Sequence, residues 1–204
     1  MTRFVLLPGL DGTGLLFRPL LEHLDAEVVS YPCDVALGYD ELMELIAPRL
    51  VADCTLVAES FSGPLAVRLA ERGLARALVL VNSFLTNPAP WLPSWLVRWR
   101  PPDWAMSPVL LGLGAPAELG SALRHAVGLV STPVLVARIR EVLQVDVRPE
   151  FSRLSLPIRC LAARQDWLVR PRYPPAVPIT WMHGPHLLLQ RHPEECAHWI
   201  KAAL

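Results

Sequence analysis

The sequence predicts an α/β fold: a mostly parallel sheet of about six strands flanked by helices, with a helical cap inserted after the fourth strand. Three observations carry this expectation. Short continuous apolar runs, such as RFVLLP at 3–8 and LVLV within 76–82, read as strands buried on both faces. Amphipathic helical segments alternate with them, which implies right-handed crossovers between parallel neighbours. From Phe84 to about Pro149 that alternation stops, and tryptophans, prolines and two helical segments replace it.

The elements follow in order. Strand 3–8 runs into the glycine-containing loop 9–14. Pro19 suits a first helical position, placing a short helix that ends near Leu24. AEVVSYP, 26–32, is the second strand. Residues 40–51 form an amphipathic helix with Leu42, Leu45, Ile46 and Leu50 on its apolar side and Asp40 as cap.

The stretch 54–70, CTLVAESFSGPLAVRLA, is the most informative. An apolar strand turns sharply through Glu59, Ser60 and Phe61, and beyond Gly63 becomes a helix with Leu65, Ala66, Leu69 and Ala70 on one face. Such a reversal lifts one side chain, Ser60, onto the rim of the sheet in a strained backbone conformation, so close neighbours must be small. Ala58 and Ser62 stand where G-x-S-x-G has its glycines, with Gly63 next. Taken alone, Ser60 is equally well read as a helix cap.

The fourth strand is 76–82. In the excursion that follows, Trp91, Trp95, Trp99 and Trp104 sit among prolines. One helix lies near 117–130; another opens at Ser131 or Thr132 with Pro133 in its first turn and runs to Leu143. The sheet resumes at 157–163 and 177–183, and a final helix, 193–203, covers its edge. The expected division is a core of 1–83 and 150–204, with 84–149 as a cap rather than an independent domain.

Composition excludes several classes. The 204 residues carry 19 basic and 19 acidic side chains, a balance that argues against nucleic acid and anionic membrane surfaces as partners. No apolar stretch approaches the roughly 18 residues of a membrane span. The N-terminal MTRFVLLPG is too short for a signal peptide's apolar region and reads as a strand. Cys33, Cys54, Cys160 and Cys196 form no CxxC pair and read as buried, reduced thiols of a cytoplasmic protein. No metal-ligand spacing is present, and no cofactor is expected.

In an open α/β sheet the site lies beyond the carboxyl ends of the strands. The first strand delivers Gly9, Leu10 and Asp11 there, the third Ser60, strand 157–163 Asp166, and the last strand His183 and His186. A serine, an acid and an imidazole thus reach one rim. The imidazole activates the hydroxyl, and the carboxylate orients the imidazole. Backbone N–H groups of Leu10 and Phe61 are the natural donors to a tetrahedral oxyanion. Each part has a plainer reading: Asp166 as a turn residue, His186 as a satisfied core histidine. His183 is a rival at the strand end, His192 reads as a surface residue, and Glu59 as a support group.

LLPGLDGTG, VAESFSGPLA, ARQDWLV and HGPHLLLQRHPEE resemble the α/β-hydrolase superfamily, and within it the small capped esterases of the pimeloyl-carrier-protein methyl esterase and carboxylesterase type. The resemblance covers nearly all of the chain outside 84–150. It implies Ser60 as nucleophile, Asp166 as acid, His186 as base, and Leu10 and Phe61 as oxyanion donors. The chain departs in its A-E-S-F-S-G elbow, in Pro8-Gly9 where many members have His-Gly, and in lacking the usual initial antiparallel strands. Asp11, Trp95 and Trp167 are the candidate substrate contacts. Leu92, Trp95, Leu96, Val109, Leu110, Leu111 and Leu113 are apolar enough to line an acyl or aromatic pocket, or else to pack the cap onto the core. Arg98, Arg100, Arg138 and Arg140 would either receive an anionic carrier or form a solvated face.

The leading expectation is a serine hydrolase of a carboxylic ester or thioester, free or carrier-bound, with an apolar acyl group and an acyl-enzyme intermediate. An acyltransferase or lyase using the same triad is the alternative within that machinery. A catalytically dead hydrolase fold used for binding is another reading, which the intact set of Ser60, Asp166 and His186 opposes. A nucleotide-binding domain is more distant: the glycine order is G-x-x-G-x-G, Asp11 would repel phosphate, and only Asp34 suits a ribose contact.

Overall fold

Apolar runs separated by helical crossovers set the layout. Strands β1 (Arg3–Leu7), β2 (Ala26–Val28), β3 (Cys54–Glu59), β4 (Ala77–Val81), β5 (Ile158–Ala163) and β6 (Ile179–Met182) form one sheet in the order β2-β1-β3-β4-β5-β6. Every neighbouring pair is parallel. The computed structural model describes residues 3–50, 53–92 and 115–202.

Because side chains alternate along a strand, each central strand feeds two cores. Val5 and Leu7, Leu56 and Ala58, Leu78 and Leu80, and Cys160 face one layer. There α2 (Tyr39–Ile46), α3 (Ser62–Glu71) and α6 (Arg148–Arg153) bring Leu42, Leu65, Leu69 and Phe151. Phe4 and Leu6, Val57, Val79 and Val81, and Leu161 face the other, against α1 (Arg18–Leu21) and α8 (Pro193–Ala202). The last helix therefore covers a sheet face through Cys196, Ala197 and Ile200, not the edge. Leu56 and Leu80 are fully buried, and truncating either to alanine should cost about 2–5 kcal/mol.

Several boundaries differ from the sequence expectation for identifiable reasons. The second strand stops at Val28, because β1 ends and the next ladder-like bond, from Tyr31 N–H, goes to the Gly12 carbonyl at 2.7 Å. The helix expected at 40–51 gives way at Ala47 to a 3-10 turn containing Pro48, which has no N–H to continue the α ladder. It also starts earlier than Asp40. The Gly38 N–H donates to Glu41 at 2.7 Å and the Tyr39 N–H to Glu141 at 3.0 Å, while Asp40 pairs with Arg68 at 2.6 Å. The final strand loses Pro178, which cannot donate, and begins at Ile179. α6 and the short α7 (Leu188–Arg191) have no counterpart in the sequence expectation.

The excursion after β4 is closed at its base. Thr86 and Asp146 form an antiparallel bridge, Asn87 N–H donates to Val145 O (3.1 Å), and Val147 N–H donates to Leu85 O (2.8 Å). Its described part holds α4 (Ala117–Gly128) and α5 (Thr132–Gln144). α4 packs Leu119, Leu123 and Ala126 on Leu16 and Leu187. α5 packs Val134 and Leu135 on Leu10. These contacts bring both helices to the loops after β1 and β6, at the carboxyl rim. Trp95, Trp99, Trp104, Arg98, Arg100, Leu96, Val109, Leu110, Leu111 and Leu113 lie outside the described residues. No helix among the described residues is long and apolar enough to cross a membrane.

Candidate active site

Ser60 follows directly on β3, and its own N–H still pairs with Val81 O at 2.9 Å. It then takes φ +51°, the left-handed region that a non-glycine residue enters only where surroundings enforce it. Here Ser83 Oγ donates to Ser60 O at 2.6 Å. The approach is close enough that a Cβ on Gly63 would lie 1.8 Å from Ser83 Oγ, so Gly63 is sterically required. α3 then starts with Phe61 as N-cap and no side-chain cap bond. The cap reading of Ser60 therefore falls, and its hydroxyl is directed elsewhere.

That hydroxyl meets His186. Ser60 Oγ lies 2.9 Å from His186 Nε2, and His186 Nδ1 lies 2.7 Å from Asp166 Oδ2. With Nδ1–H donating to the carboxylate, Nε2 is left to accept from the serine. The other Asp166 oxygen accepts from Leu168 N–H at 2.8 Å and Val169 N–H at 2.9 Å. Asp166 and His186 are buried, while Ser60 is partly exposed. His183 and Trp167 are exposed, the latter at 73%.

Asn82 is a residue of this site that the sequence expectation lacks. It sits one residue past β4 at φ +46°. Its Nδ2 donates to His186 O at 2.5 Å, and its Oδ1 accepts from Ala163 N–H at 2.7 Å. One buried amide thus ties together the ends of β4 and β5 and the histidine loop. A polar side chain just beyond a wholly apolar strand was the available signal.

The loop after β1 stands opposite. A Cβ on Gly9 would be 3.9 Å from Ser60 Cβ. Among the described residues, no hydrogen bond from the N–H of Leu10 or of Phe61 is found. Asp11 is buried, and its Oδ2 accepts from Thr13 N–H at 2.9 Å and Thr13 Oγ1 at 2.5 Å, so that oxygen is committed within the loop. Ser62, at the elbow position usually given to glycine, uses its hydroxyl: it donates to Pro8 O and pairs with Tyr31 Oη at 2.5 Å. Arg138 is not a solvated or carrier-facing arginine. It is 1% exposed and its guanidinium reaches this loop. Asp34, the ribose candidate, is exposed, and the glycine loop leads into a three-residue 3-10 turn, without the full helix start a phosphate would need.

The electrostatics centre on His186 and Glu59. Burial disfavours the imidazolium, but the hydrogen bond and charge of Asp166, with the Glu59 charge, outweigh it, and the pKa of His186 lies above its ordinary value. Burial pushes the Glu59 carboxyl up to about 7, with His186 and the Gln190 bond pulling the other way. Gln190 Nε2 donates to Glu59 Oε2 at 3.0 Å, whereas Glu59 Oε1 and Gln190 Oε1 are buried without a partner in the protein. Cys160 and Cys196 are pushed up to about 12 by burial, which makes them poor nucleophiles. No group of three or more His, Cys, Asp or Glu among the described residues is arranged to hold a metal ion.

Comparison with known proteins agrees with this architecture. The chain superposes on an extracellular α/β-hydrolase from a Paenibacillus species with TM-score 0.74 and 14% identity, covering 100% of this chain and 99% of that one. For an esterase from Exiguobacterium antarcticum the values are 0.78, 12%, 99% and 91%. For the enol-lactonase from Burkholderia xenovorans they are 0.76, 14%, 99% and 90%. No protein-family model and no curated protein sequence matches the chain. At these identities the likeness establishes the fold: the chain has the α/β-hydrolase fold, and its described strands form one six-stranded parallel sheet.

Proposed function

We propose that this protein is a serine hydrolase that cleaves a carboxylic ester or thioester with an apolar acyl group. The observation that carries the reading is the continuous chain Ser60 Oγ, His186, Asp166, at 2.9 and 2.7 Å, on a nucleophile held at positive φ. In this mechanism His186 Nε2 takes the Ser60 proton as Oγ attacks the acyl carbon. Asp166 stabilises the imidazolium, and the N–H groups of Leu10 and Phe61 receive the oxyanion. The imidazolium then protonates the leaving alcohol or thiol. Water, deprotonated by the same imidazole, cleaves the acyl-enzyme and restores Ser60.

The similar folds include esterases and an enol-lactonase, which supports ester bonds as the substrate class. The helices of 84–149 serve as the cap over this rim. The four free thiols suit a reducing, cytoplasmic setting.

Labelling by a fluorophosphonate and turnover of a short p-nitrophenyl ester test the assignment. Ser60→Ala should abolish labelling and lower turnover on the order of 10⁶-fold while remaining folded. Undiminished turnover in that variant would refute it. Adding an alcohol acceptor and following ester formation separates hydrolysis from acyl transfer.

A further inference from the structure

The loop between β1 and the first helical turn is held at every carbonyl from Pro8 to Gly12. Pro8 O accepts from Ser62 Oγ. Gly9 O accepts from Gly12 N–H at 3.0 Å, and Gly12 O from Tyr31 N–H at 2.7 Å. The two between them, Leu10 O and Asp11 O, both accept from Arg138 Nη1, at 2.9 and 2.7 Å. Arg138 Nη2 donates to Pro32 O at 2.7 Å, and the guanidinium lies 5.6 Å from the centre of the Tyr31 ring. Arg138 comes from α5, 128 residues from Leu10 in sequence.

We infer that Arg138 is a positioning residue, whose guanidinium fixes the Leu10–Gly12 turn so that the Leu10 N–H stays aimed at the oxyanion formed on Ser60. This rests on the serine-hydrolase reading above. The geometry is specific. A peptide unit is planar, so fixing a carbonyl fixes its plane. The plane before Leu10 is held by Gly12 N–H, and the plane after it by Arg138. Leu10 is therefore fixed on both sides while its own N–H stays available. A flexible ammonium provides a point charge, whereas the planar fork of arginine spans several carbonyls at once.

Gly12 records the same constraint from the loop's side. Its φ is +68°, and a Cβ there would lie 2.6 Å from Arg138 Nη1. Burying a guanidinium is costly unless its donors are used and its charge is compensated. Here it has the three carbonyls, the Tyr31 ring face and the Asp11 charge. A helix that merely packed on the core would be served better by an apolar side chain at that position. The excursion, by this inference, supplies part of the site's rigidity.

Arg138→Ala and Arg138→Lys test this in two independent ways. Amide hydrogen exchange at Gly12 and Tyr31, whose N–H groups close the turn, should speed up at least tenfold in both variants, while exchange in β3 and β4 stays unchanged. In kinetics on a short ester, Arg138→Ala should lower kcat by about 10²–10³-fold, as loss of one oxyanion donor does, with KM within threefold. Affinity for a trifluoromethyl ketone, which forms a tetrahedral adduct on serine, should fall in parallel. Methylguanidinium at tens of millimolar should restore at least tenfold of the alanine variant's loss. If Arg138→Ala does not fold, Arg138→Lys, which keeps charge and length, should still show faster exchange and a kcat at least tenfold lower. Unchanged exchange in either folded variant overturns the clamp. A rise in KM alone, or unaltered ketone affinity, overturns the link to the oxyanion. A wild-type protein that takes no fluorophosphonate label refutes the hydrolase reading itself, and the exchange arm still reports whether Arg138 holds the loop.

Discussion

Two buried carboxyls act on the same imidazole, and their surroundings differ. Asp166 lies in the loop after β5, where the turning backbone presents N–H groups that no ladder uses, and it accepts from Leu168, Val169 and His186. Glu59 is the last residue of β3, where neighbouring backbone N–H groups are spent in the sheet, and one oxygen accepts only from Gln190. A loop thus offers a carboxylate several donors, whereas a strand end between packed layers offers Glu59 few, and burial there favours its neutral form. In the proposed mechanism Asp166 serves the imidazolium directly, while Glu59 acts on it only through its charge.

Breaking the loop side of this contrast has the larger effect. Asp166→Asn should leave the fold intact and lower kcat by roughly 10⁴-fold, because an amide no longer selects the Nδ1–H tautomer. Stopped-flow acylation by a p-nitrophenyl ester measures it, and a loss below tenfold would contradict the role given to Asp166. The strand side is tested by Glu59→Gln. In the folded protein this carboxyl titrates near 7 against an ordinary 4.5, so the fold retains a proton that the unfolded chain has already released. Stability should therefore fall as pH rises from about 4.5 to about 7, by on the order of 3 kcal/mol, and stay low above. The raised pKa of His186 adds a loss in the same direction, at higher pH. Glu59→Gln should flatten most of this decline in thermal melts between pH 5 and 8. Removing its charge should also move the acidic limb of kcat/KM to lower pH; a limb that moves upward would reverse the assignment.

Two smaller substitutions sharpen the comparison by loosening what surrounds the carboxyls. Asn82→Ala strips the amide joining His186 O to Ala163 N–H and should cost about 2 kcal/mol, with a larger drop in acylation rate than in ester binding. Ser62→Gly restores the usual elbow residue but leaves Pro8 O unpaired. It should lower stability by about 1 kcal/mol, a fall in Tm of about 2–4 °C by calorimetry.

What the sequence made legible was whatever is local. Ser60 announced itself through the small residues around it, and Asp166 and His186 through their places just beyond apolar runs. The alternation of apolar runs and helices was enough for the sheet. What stayed hidden depends on partners distant in the chain. Arg138 meets Leu10 across 128 positions, and Gln190 meets Glu59 across 131, so periodicity around either residue carries no trace of the contact. In sequence, an arginine on an amphipathic helix reads as a surface group, whereas Arg138 is buried. Of the candidate substrate contacts, Asp11 has one oxygen committed within its own loop, and Trp167 stands in solvent.

Cys33 turns this arrangement to practical use. Of the four thiols it alone is half-buried, and it directly follows Pro32, whose carbonyl Arg138 grips. A small fluorophore attached there would sit at the seam between α5 and the loop after β1, while the other three sulfurs stay out of reach of the dye. Single-site labelling thus needs no cysteine to be added or removed, and it would make that sulfur an optical gauge of whether the seam moves when an ester is added.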